Sequence, residues 1–230
     1  MVEIYGITVD NRLDDGSFQQ LLSKIDTEKQ KRIKRFRKWE DGHRTLIADL
    51  LVRYLVVERL DIPNKEIHFS TNSFNKPFLK SIDHFYFNCA HSGRWVVCAI
   101  DNAPVGIDVE KKKAVDFAIA KRFFSTEEYD TLMNQDESER SNHFFLLWTL
   151  KESYLKAIGK GLYQPLNSFT IRFSQKRQIQ LFSGDEIVPD VFLKTVTIDP
   201  NYCLSVCGSS EGFADSVSIK EFREIAEVFI

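Results

Sequence analysis

Two short segments hold ionisable side chains at spacings that chemistry can use. In Val105-Gly-Ile-Asp-Val-Glu110, the period of two in a strand sets Val105, Ile107 and Val109 on one face and Gly106, Asp108 and Glu110 on the other. Two carboxylates on one strand face can converge on a hard cation such as Mg²⁺. That ion takes few protein carboxylates and fills its octahedron with water and phosphate oxygens. Gly106 beside them allows a ligand to approach closely. Apolar-in, polar-out also describes any half-exposed strand, so spacing alone does not choose. In Trp148-Thr-Leu-Lys-Glu-Ser-Tyr-Leu-Lys156, helical spacing gives a core stripe of Phe144, Leu147, Trp148, Leu155 and Ile158. Thr149, Glu152, Ser153, Lys156 and Lys160 form the opposite, polar strip. As a plain surface pair, Glu152 and Lys156 contribute only about 0.2–0.5 kcal/mol. In a functional reading, Glu152 completes a three-carboxylate metal site and Lys156 neutralises a phosphate.

A third constellation is basic. Residues 29–38 hold Lys29, Lys31, Arg32, Lys34, Arg35, Arg37 and Lys38 and no acidic residue. Lys29, Arg32 and Arg35 share a helical face, and Arg44-Thr45 opens the next predicted helix. Basic side chains beside a helix N-terminus suit a phosphate, because free N–H groups and the dipole favour an anion. A solvated basic face is the competing reading. A fourth is Phe87-Asn-Cys-Ala-His-Ser-Gly-Arg-Trp95, where His91-Ser92-Gly93 reads as a turn presenting an imidazole at a sheet end. No Gly-x-Ser-x-Gly elbow accompanies Ser92, which argues against a hydrolase nucleophile. Cys89, Cys98, Cys203 and Cys207 form no Cys-x-x-Cys pair, and the five histidines show no His-x-x-x-His spacing. Reduced, strand-buried thiols and no zinc site are expected.

The elements that must carry these groups can be read from periodicity and punctuation. A strand over residues 2–9 precedes a short helix at 18–25. Thr27 with Gln30 has the form of a capping box opening a helix to residue 38. Residues 44–60, apolar almost all round, predict a buried helix ending before Pro63. Strands follow at 67–70 and 85–89, and residues 95–100 and 105–110 read as a β-hairpin across Asp101-Asn-Ala-Pro104. A helix at 115–124 leads to Ser125 and Glu128, a second capping box. After a polar loop at 134–141, a helix at 142–158 stops at Gly159. Strands at 169–173, 179–182, 191–197 and 202–206 and a helix at 218–228 complete the chain. A long helix followed by strands thus occurs twice. The expectation is an α+β fold of two similar halves, residues 1–104 and 105–230, with a ligand cleft between them.

Composition narrows the class. At 230 residues, 43% hydrophobic and 28% charged, the chain is globular rather than fibrous or disordered. No apolar run reaches the roughly 20 residues of a membrane span, and the amino end has no secretory n-region and h-region. A cytoplasmic protein without a membrane partner is expected. Thirty-one basic against 33 acidic residues give −2, so residues 29–38 are one positive site on an otherwise acidic body. No aromatic-interleaved basic surface accompanies them, and nucleic acid is not an expected partner.

Asn75-Lys-Pro77, residues 87–95, residues 105–110, Lys121-Arg-Phe-Phe-Ser-Thr-Glu-Glu-Tyr129 and residues 148–156 occur in this order. Together they resemble the surfactin-type (Sfp-type) 4′-phosphopantetheinyl transferases, above all members that activate peptide synthetases. The resemblance runs from Tyr5 to about Gly161 and thins through the C-terminal strands. It implies a pseudo-two-fold dimer of two α+β halves with coenzyme A in the cleft. Mg²⁺ would be held by Asp108, Glu110 and Glu152. The phosphopantetheine arm of coenzyme A would pass to a serine of an apo acyl or peptidyl carrier domain, releasing adenosine 3′,5′-bisphosphate. Glu152 is the implied general base, and Lys156 the contact to the diphosphate. Lys29, Arg32, Arg44, Thr45, Lys76 and His91 match positions that grip the nucleotide, and Ala90 and Asp108 stand beside the coenzyme. The carrier would dock near residues 112–125. Both halves of the site lie in one chain, so a monomer is expected.

Two residues depart from that pattern. Ala90 stands where relatives often carry a serine, losing a hydroxyl contact of about 0.5–1.5 kcal/mol. Asn75 stands where a glycine often precedes Lys-Pro. These departures feed the alternative of a non-catalytic protein that binds coenzyme A or a carrier, against which the intact carboxylate set argues.

Overall fold

The computed structural model describes residues 1–80, 82–174 and 178–230. Strand β1 (Glu3–Thr8) leads to α1 (Asp15–Leu22), where the Asp14 side chain accepts from the Ser17 N–H. Helices α2 (Thr27–Ile33) and α3 (Trp39–Leu60) follow, then the short strands β2 (Phe69–Thr71) and β3 (Pro77–Leu79), β4 (Tyr86–Ser92) and β5 (Trp95–Asp101). Strand β6 (Gly106–Lys111) begins the series again, with α4 (Ala118–Phe123), α5 (Thr126–Met133) and α6 (Glu137–Ile158). After these come β7 (Thr170–Phe173), β8 (Ile179–Ser183), β9 (Glu186–Ile187), β10 (Phe192–Thr195) and β11 (Tyr202–Gly208). Strand β12 (Ser218–Ile219) and α7 (Phe222–Glu227) end the run.

The element order repeats. A strand, short helices, a helix of 22 residues, a small sheet and two further strands occur twice, with α3 and α6 as the long helices. One sheet runs β12-β1-β5-β4 and the other β10-β11-β6, so β1-β5-β4 answers β6-β11-β10. Each long helix lies on its own sheet, α3 on β4 and β5, α6 on β6 and β11. The sheets meet where β4 runs beside β6. There Asn88 Oδ1 accepts from Ile107 N–H at 2.9 Å, and Ser92 Oγ accepts from Lys111 N–H at 3.0 Å. A core of Val97, Ala99, Ile107, Val109, Leu204 and Val206 fills the junction, between one apolar core around α3 and another around α6. The tail does not stay with the second sheet. Strand β12 pairs parallel with β1, and Ile225, Ala226 and Phe229 are buried in the core around α3.

Several sequence expectations need correction. Strands β5 and β6 do not form a hairpin. Both edges of β5 are taken, by β1 and β4, so β6 crosses to the other sheet and pairs with β11. The hairpin is β4–β5, and Ser92 and His91 belong to its strand; the turn is Gly93-Arg94, with Gly93 at φ +55°. Thr27 is not a cap. Asp26 holds that position, and its carboxylate is drawn to Arg53 at 2.5 Å. Helix α2 stops at Ile33, and α3 starts at Trp39, five residues before the expected position. Helix α6 likewise begins at Glu137, inside the expected loop. Its acidic first turn suits the positive end of the helix dipole. Residues 218–228 split into β12 and α7.

The Ser125 box forms as expected, with both reciprocal bonds present, and Gly159 ends α6 at φ +68°. All four cysteines are free. Among the described residues, no helix is long and apolar enough to cross a membrane.

Candidate active site

Strand β6 and helix α6 are held together by the absence of a side chain. A Cβ on Gly106 would lie 2.0 Å from the Ser153 carbonyl and 2.4 Å from the Ala157 nitrogen. The polar strip of α6 is therefore not a solvent face. Thr149 and Ser153 are fully buried against the sheet, and Thr149 Oγ1 lies 2.7 Å from Ser205 Oγ on β11. This close seating brings Glu152 and Lys156 over the strand carrying Asp108 and Glu110.

Asp108 is only 5% exposed. Lys156 Nζ donates to Asp108 Oδ1 at 2.6 Å and to the Ile107 carbonyl at 3.2 Å. The other oxygen, Asp108 Oδ2, is buried without a hydrogen-bond partner. Burial pushes the Asp108 carboxyl up to about 7; Lys156 opposes this, and Glu110 and Glu152 add to it. Glu152 is raised for the same leading reason, burial, opposed by Lys156 and reinforced by Glu110. Glu110 is held from β4, where Ser92 Oγ donates to its Oε2 at 2.8 Å. His91 sits on the opposite wall. Desolvation in the cleft and the cations Arg44 and Lys156 hold its pKa below the ordinary imidazole value, against Asp41.

Ala90, His91, Asp108, Glu110, Glu152 and Lys156 line one cleft of about 610 Å³, with Phe123, Trp148 and Leu166 as its apolar end. Arg44 stands beside it, donating to the Gly93 carbonyl and to Asp41, each at 2.6 Å. The other expected nucleotide contacts do not line this cleft. Lys29 is paired with the buried Asp49 at 2.6 Å, and Arg32 is exposed on α2. Thr45 is buried, its hydroxyl donating to the Asp41 carbonyl. Arg44 and Thr45 sit in the second turn of α3, so the expected helix-N-terminal anion site is not built there. Lys76 lines a separate cavity of about 360 Å³.

Among the described residues, no three His, Cys, Asp or Glu side chains stand as a ready-made metal group. Asp108, Glu110 and Glu152 share a cleft, but an ammonium rests on Asp108 and a hydroxyl on Glu110. The orphaned Asp108 Oδ2 and the all-oxygen donor set fit a hard divalent ion. One feature escaped the sequence reading. Lys151, wholly buried, donates to both oxygens of Glu128 and to the Phe169 carbonyl, at 2.6–2.7 Å. Its signal was a lysine with Leu150 and Tyr154 around it on the core side of α6.

The cleft therefore combines carboxylate oxygens for a cation, an ammonium, an imidazole and apolar side chains. Such a set suits a phosphate ester or anhydride carrying an apolar arm. Residues 104–207 match the model of the 4′-phosphopantetheinyl transferase superfamily, and residues 14–103 match that of the 4′-phosphopantetheinyl transferase N-terminal region. The chain is 39% identical over 224 residues to the 4′-phosphopantetheinyl transferase Sfp of Bacillus subtilis, covering 97% of this chain and 100% of that one. It is 42% identical over 231 residues to the 4′-phosphopantetheinyl transferase gsp of Aneurinibacillus migulanus, covering 100% and 96%. To psf-1 of Bacillus pumilus, of the same description, it is 40% identical over 211 residues, covering 90% of each.

Proposed function

Because this chain belongs to the 4′-phosphopantetheinyl transferase family, we propose that its carboxylate cleft transfers the phosphopantetheine arm of coenzyme A to a serine of an apo carrier domain. The observation that carries this reading is the meeting of Asp108, Glu110, Glu152 and Lys156 in one cleft. The carrier serine oxygen forms a bond to the phosphorus bearing the pantetheine arm. The bond from that phosphorus to the bridging oxygen breaks, and adenosine 3′,5′-bisphosphate leaves.

Asp108, Glu110 and Glu152 would hold a Mg²⁺ ion, which supplies charge neutralisation and Lewis acidity to the diphosphate. Glu152, whose proton affinity burial has raised, accepts the serine proton as general base. Lys156, 28% exposed on a flexible stem, donates to the phosphate oxygen on which charge develops. Arg44 and His91 bind the nucleotide's phosphate side, and Phe123, Trp148 and Leu166 exclude water along the apolar arm. Lys121 and Arg122, exposed on α4, meet an acidic carrier helix near residues 112–125. We further read residues 1–104 and 105–230 as the two halves of a pseudo-two-fold, monomeric, cytoplasmic enzyme, with peptide-synthetase carrier domains as its partners.

Mass spectrometry of an apo carrier incubated with coenzyme A and Mg²⁺ tests this. The expected gain is roughly 340 Da, the increment of the phosphopantetheine group. Coenzyme binding without any mass gain overturns the enzyme and leaves a coenzyme-binding protein.

A further inference from the structure

We propose that Lys76 is a positioning residue, a brace that fixes helix α6 against strand β6 and so sets Glu152 and Lys156 over Asp108 and Glu110. The inference rests on the reading of the cleft given above, and it departs from the nucleotide-gripping role that resemblance implies for this lysine.

The ammonium is already engaged. Lys76 Nζ donates to the Val105 carbonyl at 3.1 Å and to the Ala157 carbonyl at 3.0 Å. Val105 stands immediately before β6, and Ala157 immediately after Lys156 in the last turn of α6. Carbonyls in that turn lack partners within the helix and must find them elsewhere. One side chain from the first half thus ties the two elements of the second half that carry the cleft's acids. The two bonds also flank the Gly106 contact. That contact stops α6 from coming nearer to β6, but it does not stop the helix from sliding; Lys76 supplies the directional tie at the same level.

The turn that presents Lys76 is built for the task. Asn72 Oδ1 accepts from the N–H groups of Phe74 and Lys76, both at 2.9 Å, closing the turn on itself. Asn75 takes φ +65°, a left-handed conformation that asparagine tolerates better than most side chains. Asn72 Nδ2 then donates to the Gly159 carbonyl at 3.0 Å, a second tie to the same helix end. Gly159 accepts this only without a side chain, since a Cβ there would lie 2.8 Å from Lys76 Cδ. The cavity beside Lys76 is lined by Pro77, Phe78, Phe87, Pro104 and Ile158 together with Asp83 and His84, and the Asp83 carboxylate makes it a poor seat for a phosphate. Burial lowers the Lys76 ammonium to about 8, which fits a cation withdrawn from water and kept by two carbonyls.

The test compares the full-length wild type with Lys76→Met and Asn72→Ala in three measurements. These are steady-state transfer from coenzyme A, calorimetric binding of adenosine 3′,5′-bisphosphate, and amide hydrogen exchange. In Lys76→Met, kcat falls about tenfold to a hundredfold, as expected when reacting groups shift by a fraction of an ångström to an ångström. KM for coenzyme A and Kd for the bisphosphate change less than about twofold. Amides of residues 152–160 and 104–110 exchange faster. Asn72→Ala gives the same pattern in weaker form and carries the test if Lys76→Met does not fold. A rise in KM and Kd with kcat retained makes Lys76 a nucleotide grip and overturns the proposal, as does unchanged exchange. Should the wild type transfer nothing, the reading of the cleft fails, while the exchange comparison still decides on the brace.

Discussion

Lys151 Nζ lies 2.6 and 2.7 Å from the two carboxylate oxygens of Glu128, and neither side chain reaches solvent. Glu128 is also the partner of Ser125 in the α5 capping box, and it accepts from Ile171 N–H at 2.7 Å. One buried ion pair therefore ties α5, α6 and β7 together, one residue away from Glu152. Removing one partner strands the other charge in a dry interior. Glu128→Gln should cost about 3–5 kcal/mol, and Lys151→Met a similar amount. The double variant Glu128→Gln with Lys151→Met should lose clearly less than the sum. Urea unfolding midpoints give the comparison; strictly additive losses would deny the coupling.

Gly106→Ala should act on the same helix from the other side. The added methyl meets backbone atoms of Ser153 and Ala157, which cannot rotate away, so α6 must lift off β6. A stability loss of about 1–3 kcal/mol is expected for such overpacking. Transfer should fall more than the loss of folded protein explains. A variant with full activity and an unchanged melting temperature would show that the seating is looser than described.

Glu152→Gln keeps the shape of the side chain and removes the charge that the proposed function assigns to holding the metal and to taking the serine proton. Transfer should fall about 10²–10⁴-fold, the range for losing a positioned acid–base group. Binding of adenosine 3′,5′-bisphosphate should persist. Turnover near the wild-type rate would take Glu152 out of the mechanism.

His43 gives a pH dependence that does not involve the cleft. Its Nδ1–H donates to the Trp39 carbonyl at 2.9 Å, and its Nε2 accepts from Leu13 N–H at 3.1 Å, so the ring is neutral. Burial holds its pKa below the ordinary 6.5, and Arg12 lowers it further, against Glu40. The unfolded chain therefore binds this proton first as pH falls. The stability it contributes is complete above 6.5 and drains away below it. Unfolding free energies at pH 7.5 and 5.5 should differ more in the wild type than in His43→Gln. An equal drop in both would assign the acid sensitivity to other groups.

Local signals carried much of this architecture. The period of two correctly put Val105, Ile107 and Val109 in a core, and the Ser125 box and the Gly159 stop formed where the residue types put them. What failed depended on distant partners. Thr27 and Gln30 have the right spacing, but Asp26 is claimed by Arg53, which the local pattern cannot reveal. The hairpin across residues 101–104 failed because β1, almost a hundred residues earlier, already occupies the β5 edge. Thr149 and Ser153 looked like a wet strip because small polar side chains read as surface. Here their size lets a helix settle on a glycine. In the cleft, Asp108, Glu110 and Glu152 line one cavity without standing as a ready-made metal group, because Lys156 rests on Asp108 and Ser92 on Glu110, side-chain choices no spacing encodes.

The return of residues 218–229 to the first sheet has a consequence for how the molecule is made. Ile225, Ala226 and Phe229 close the core around α3, so a nascent chain emerging from the ribosome cannot seal that core until residue 229 has been synthesised. Until then the early elements keep an open hydrophobic flank where these three side chains will pack.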